Sequence, residues 1–126
     1  IRVASNISFG KGHISRCIRI RKAIKNKVIW FIDKGTKELF FDSIKDEVIE
    51  ENSTYSCSKL AKLAFNFNIK AIIIDSPAVK SFKIKKITFF KPVVILVDEY
   101  FKQKNTLSIC MHPINTDDNN FISDSD

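Results

Sequence analysis

Val28-Ile29-Trp30-Phe31-Ile32-Asp33-Lys34-Gly35 is the stretch on which the fold turns. Five apolar residues run without a break and then stop at an acid, a base and a glycine, the chemistry of a turn. A strand with one wet face would alternate apolar and polar side chains. An unbroken run rich in β-branched and aromatic residues suits a strand covered on both faces of a parallel sheet. The same signature recurs at Ala71-Ile72-Ile73-Ile74, which ends at Asp75, and at Val93-Val94-Ile95-Leu96-Val97, which ends at Asp98. Ile1 to Ser5 reads as a first strand, Glu47 to Glu50 as a weak one and Leu107 to Met111 as a last, edge strand.

Helical periodicity fills the gaps. Ile14, Cys17, Ile18, Ile20, Arg21 and Ile24 mark one, mainly apolar face, with Arg16, Arg19 and Lys22 on another. Ser58 to Phe67 carries Leu60, Leu63, Ala64 and Phe67 at spacings of three and four, after a cap at Ser56 or Ser58. Ser81 to Phe90, with Ile84, Ile87 and Phe90, reads as a shorter helix. Strand and helix in alternation predict an α/β, Rossmann-like, doubly wound parallel sheet with a strand order near 3-2-1-4-5. In such sheets ligands bind beyond the carboxyl ends of the strands. The loop after the first strand, Asp75 and Asp98 are therefore expected along one edge.

The chain has 126 residues, 44% hydrophobic and 28% charged, which is one ordinary domain and excludes a disordered tail, a fibre or a linker. Residues 1–115 read as that domain and residues 116–126 as a polar, acidic tail or the start of a linker. The opening at Ile1, already inside a strand, reads as a piece of a longer protein. All 21 basic residues but only 10 of the 14 acidic ones lie before residue 116, which leaves that body at +11. A basic body suits a polyanion, either nucleic acid or a phosphorylated small molecule. AT-rich coding yields the same abundance of Ile, Lys, Asn and Phe with no ligand involved, so charge alone selects no partner.

Cys17, Cys57 and Cys110 are odd in number and far apart, which gives neither a disulfide framework nor a zinc site. No His, Cys or Asp cluster has metal-ligand spacing, and no cofactor is expected. Free cysteines and the lack of a signal peptide or a membrane-length apolar run point to a cytoplasmic protein without a membrane span. The sequence has no aromatic pattern of an RNA-binding sheet, which argues against nucleic acid as the partner.

Ser8-Phe9-Gly10-Lys11-Gly12-His13 joins the first strand to the first helix and holds two of the three glycines. Glycine there lets the backbone turn sharply and approach a ligand. The helix start presents unpaired N–H groups and a positive dipole end, a natural anion site, and Lys11 adds charge. The spacing is neither that of a Walker A loop nor G-x-G-x-x-G, because position 15 is Ser. His13 sits where the helix dipole disfavours an imidazolium, leaving a ring able to take a proton from water; a purely local helix-start role is the alternative. Asp75, before Ser76-Pro77, suits either catalysis or a turn, and His112 reads as a loop residue.

Arg2 to Ile24, R-V-A-S-N-I-S-F-G-K-G-H-I-S-R-C-I-R-I-R-K-A-I, resembles the start of the UDP-sugar hydrolases of pseudaminic acid biosynthesis and of spore coat polysaccharide biosynthesis proteins. Their pattern is R-x-D, a short loop, G-x-G-H, then R-C-L-x-L-A. Gly10, Gly12, His13, Arg16 and Cys17 match in register, with Ile18 and Ile20 in the leucine places. Ile72 to Ser76 is similar to the family's strand ending in Asp, and Val97 to Glu99 to its Asp-Asp pair. The family's early Asp is Ala4 here, its aromatic after the fourth strand is Pro77, and the second Asp of its pair is Glu99.

The resemblance implies the N-terminal half of a GT-B, MurG-like architecture that splits a UDP-sugar with water into UDP and a free amino-deoxy sugar. The setting would be surface polysaccharide or nonulosonic acid synthesis. It implies catalytic roles for His13, Asp75 and Asp98: His13 would position or deprotonate the water, and the aspartates would support the sugar or the histidine. Gly10, Lys11, Gly12, Arg16, Ser76 and Glu99 would bind substrate. It also implies a second α/β domain beyond this chain, without which turnover would be small. A truncated or non-catalytic sugar-nucleotide-binding module and one half of a GT-B glycosyltransferase are the alternatives. The sugar, the acceptor and the oligomeric state stay open.

Overall fold

The computed structural model of the chain describes residues 1–9, 11–51, 57–76, 93–97, 106–110 and 121–123. The fold is α/β and Rossmann-like, with parallel strands and helices between them. The chain divides into two compact units, Ile1–Thr54 and Tyr55–Asp126.

The first unit contains β1 (Arg2–Val3), a 3-10 turn at Ile7–Phe9, α1 (Gly12–Ala23), β2 (Ile29–Asp33), α2 (Lys37–Phe40) and β3 (Glu47–Glu51). Its strands lie in the order β3-β2-β1, all parallel, with Phe31 opposite Arg2 and Ile29 opposite Glu47. That is the order the alternation of elements predicts. Period-two alternation sends Trp30 and Ile32 to one face and Phe31 to the other, and all three are buried, so the unbroken apolar run is covered on both sides. Val3, Ile14, Cys17, Val28, Trp30, Ile32 and Phe41 form the core. Ile14 and Cys17 are the buried ridge of α1, while Arg19 and Lys22 face water.

Trp30 stacks obliquely on Phe41, with centroids 5.4 Å apart, and its indole N–H donates to Asp46 Oδ2 at 2.9 Å. Asp46 also takes a two-pronged contact from Arg21, at 2.7 and 2.9 Å, and Arg21 Nη1 donates to the Ile24 carbonyl just past α1. One carboxylate therefore ties the end of α1 to β2 and to the approach to β3. The Arg21 guanidinium holds the Asp46 carboxyl below its ordinary range; partial burial opposes this and the Trp30 donor assists it. A lowered folded value means stability that is present above the unfolded value, about 3.9, and lost as pH falls through the folded one. Asp46→Asn is expected to be less stable than the unaltered protein at neutral pH, with the gap closing on acidification below about pH 4. Urea midpoints measured across that range test this, and parallel pH profiles for the two proteins would refute it.

The second unit contains α3 (Cys57–Asn66), β4 (Ile72–Asp75), β5 (Val93–Val97), β6 (Thr106–Cys110) and β7 (Phe121–Ser123). Its strands run β4-β5-β6-β7, again all parallel, with Ile72 opposite Val93 and Val93 opposite Thr106. Among its described residues, Leu60, Ala64, Ile72, Ile74 and Val93 are buried and apolar. Two expectations fail here. Leu107 to Met111 is not the edge, because Ile109 of β6 pairs with Ile122 of β7, inside the stretch that its acidic composition marked as a tail. Phe121 and Ile122 give that segment an apolar pair, and the open edge of β6 offers it a ladder of hydrogen bonds. Phe67 is the second failure. The helix ends at Asn66, Asn68 turns left-handed at φ 53°, and the Ile69 N–H returns to the Ala64 carbonyl at 2.8 Å. Asparagine tolerates that cap conformation, and the turn leaves Phe67 41% exposed, off the apolar face assigned to it. The helix expected over Ser81 to Phe90 lies outside the described residues.

Candidate functional site

The loop leaving β1 is built from the backbone outward. Ser5 is fully buried, and its N–H and that of Asn6 both donate to Asp33 Oδ2 at 2.8 Å. Asp33 is the last residue of β2, so its carboxylate reaches sideways across the carboxyl edge and clamps the neighbouring strand's exit. A closed ring of three further bonds locks the clamp. The Asp33 N–H donates to Ser5 Oγ at 2.9 Å, and Thr36 Oγ1 donates to the Asp33 carbonyl at 2.7 Å. Thr36 has one hydroxyl proton and uses it there, so the 2.7 Å Ser5–Thr36 contact has Ser5 as donor. Gly35 takes φ 81° in the turn between them, a conformation that favours glycine, and its N–H meets the Glu50 carboxylate.

Beyond the clamp, Asn6 Oδ1 accepts from the Ser8 N–H and hydroxyl, both at 3.0 Å, and starts the 3-10 turn. Gly10 lies outside the described residues. Lys11 occupies the cap position of α1 without a side-chain cap, and its ammonium sits 5.9 Å from the centre of the Phe40 ring, within cation–π range. Gly12 opens the helix with ordinary φ, and a Cβ there would meet nothing within 4 Å. The conformational case made for glycine from the sequence therefore does not hold at Gly12; an open approach to the backbone is what it leaves. The first turn of α1 holds no acidic residue to offset its positive end.

His13 and Arg16, one turn apart, are each half-buried and touch: Arg16 Nη2 lies 3.2 Å from His13 Nδ1. The structure thus brings together Lys11, Gly12, His13 and Arg16 of the expected site in the first unit. Asp75 and Ser76 belong to the second unit, at the carboxyl end of β4, where they are 1% and 6% exposed. Asp98 and Glu99 lie outside the described residues, immediately after the last residue of β5.

Asp33, Ser5 and Thr36 are the residues sequence reading missed. The signal was present, since Asp33 ends an apolar run just as Asp75 and Asp98 do, but beside Lys34-Gly35 it reads as a turn former. In dinucleotide-binding folds an acid at this strand end grips a ribose. Here the carboxylate grips the protein's own loop. Among the described residues no group of three or more His, Cys, Asp or Glu could hold a metal ion, and no helix is long and apolar enough to cross a membrane. No family model, curated protein or solved structure matches the chain.

Proposed function

We propose that the chain supplies the anion-binding, histidine-bearing half of a nucleotide-sugar hydrolase, which converts a UDP-sugar and water to UDP and a free amino-deoxy sugar. The observation that carries this reading is the His13–Arg16 pair on the first turns of α1, at the carboxyl side of a parallel strand. A nucleotide diphosphate brings concentrated negative charge. The positive dipole end of a helix start, together with Lys11 and Arg16, complements it. In the reaction the water oxygen bonds to the anomeric carbon and passes one proton to His13, and the bond from that carbon to the phosphate oxygen breaks with its electron pair. Charge grows on the departing phosphate, where preorganised donors act most strongly. The reading calls on no cofactor. Its likeness in sequence to pseudaminic-acid-pathway hydrolases and spore coat polysaccharide proteins supplies the substrate class, and surface polysaccharide or nonulosonic acid synthesis is the setting we infer.

The test is UDP release by the complete protein from a panel of UDP-linked amino-deoxy sugars. His13→Ala is expected to lower the rate about 100-fold or more while the protein stays folded. A panel with no substrate, or a variant as active as the unaltered protein, would sink the proposal.

A further inference from the structure

Phe65 is the most exposed large apolar side chain among the described residues, at 82%, and Phe67, two positions on, is 41% exposed. A single exposed apolar residue is ordinary, but two aromatic rings on one turn form a patch of the kind that marks a contact. The local structure displays them. α3 buries Leu60 and Ala64 on one face, while Lys62 and Phe65, three residues apart, lie on the exposed one. The helix then closes through three backbone bonds. The Phe67 N–H donates to the Leu63 carbonyl at 3.0 Å, that of Asn68 to Phe65 at 3.2 Å and that of Ile69 to Ala64 at 2.8 Å. These bonds and the left-handed Asn68 fix the backbone beneath both rings.

The charge around the rings is of one sign. Between Glu51 and Asp75 the chain carries Lys59, Lys62 and Lys70 and no acidic residue, and Asp75 itself is buried. Lys62 stands one turn before Phe65. Lys70 stands just past the turn, exposed, with its ammonium 3.4 Å from Asn68 Oδ1. Apolar rings with cations on either side match the layers of an anionic bilayer, whose negative headgroups lie above a hydrocarbon interior. We propose that the end of α3 and the turn after it, from Lys62 to Lys70, form a peripheral docking site for an anionic phospholipid surface. Phe65 and Phe67 enter the interfacial layer while Lys62 and Lys70 stay among the headgroup phosphates. With two rings and two cations the attachment is weak and reversible. Single-stranded RNA is the rival polyanion, since bases stack on aromatic rings. Its platforms are commonly the strands of a sheet, whereas these rings come from a helix end and one turn, which suits insertion. This role is separate from the hydrolase reading and needs neither His13 nor a nucleotide.

Co-sedimentation of the chain with lipid vesicles tests the site. Binding is expected to vesicles of equal parts phosphatidylglycerol and phosphatidylcholine, to weaken as salt is added, and to vanish with phosphatidylcholine alone. Phe65→Ser combined with Phe67→Ser should lower the apparent affinity about tenfold or more, and Lys62→Gln about fivefold. Urea midpoints and circular dichroism of these variants should stay close to those of the unaltered protein, because the replaced side chains are exposed. A second readout places the ring without removing it. Emission from Phe65→Trp should shift to the blue on adding the anionic vesicles and be quenched by brominated acyl chains. The unaltered protein, whose Trp30 is buried in the first unit, should not respond. No sedimentation with the anionic vesicles, or a double variant that binds them as the unaltered protein does, overturns the proposal. If vesicles are ignored while the double variant abolishes binding to single-stranded RNA, or dimer formation in sedimentation velocity, the occupant is RNA or a second copy of the chain. Either result overturns the membrane assignment.

Discussion

Trp30→Ala is expected to cost about 3–5 kcal/mol and to leave the first unit largely unfolded at room temperature, because a domain has only about 5–15 kcal/mol in all. Three terms add at this position. The indole is fully buried at the centre of the core, so its loss opens a cavity that Val3, Ile14, Cys17, Val28 and Ile32 cannot fill without moving the sheet. Its face on Phe41 is lost. Its N–H to Asp46 is lost too, which weakens the junction that Arg21 shares. Trp30→Phe separates these terms. It keeps most of the volume and the aromatic contact, removes the donor, and should cost about 1–2 kcal/mol beyond any packing change. Denaturant unfolding followed by circular dichroism measures both variants. In the unaltered protein the lone tryptophan makes fluorescence a reporter of the first unit alone. An alanine variant whose midpoint matches the unaltered protein would show that the core does not depend on this ring.

The strands were the most legible part of the fold, for a physical reason. A strand covered on both faces carries few polar side chains along its middle, so Val28 to Ile32 and Ile72 to Ile74 appear in sequence as uninterrupted apolar runs. Length and composition fail where a segment is held by backbone pairing. β7 has three residues in a polar stretch, and α2, Lys37–Phe40, is a single turn with no periodicity to detect. The site was legible one residue at a time. His13 and Arg16 stand out by type and spacing, since three residues apart on a helix means adjacent side chains. The clamp was hidden for a different reason. Ser5 and Asp33 are 28 residues apart and meet only because β1 and β2 pair in parallel, a relation that no local pattern encodes.

That clamp supports the last and most site-directed expectation. Asp33→Ala should cost about 3 kcal/mol, since it leaves the Ser5 and Asn6 N–H groups without their acceptor and a buried charge-assisted bond is worth about 1.5–3 kcal/mol. Asp33→Asn keeps a carbonyl oxygen in nearly the same place and should cost about half as much, the difference being the charge on the acceptor. The local consequence separates this from general destabilisation. Thr36 and Ser5 keep their hydroxyl bond in either variant, so β1 stays paired to β2 while the chain beyond Ser5 loosens. Amide hydrogen exchange should therefore accelerate first at Ser5 and Asn6, well before exchange in β2. His13, eight residues on from Ser5, begins its helix from a base that is no longer fixed. A preorganised side chain loses value when its backbone can drift, because catalytic geometry tolerates about 0.5 Å of error. Under the proposed function, Asp33→Asn is thus expected to lose UDP release out of proportion to its loss of stability. Exchange at Ser5 and Asn6 that does not change in either variant would mean that the carboxylate is not what holds the loop.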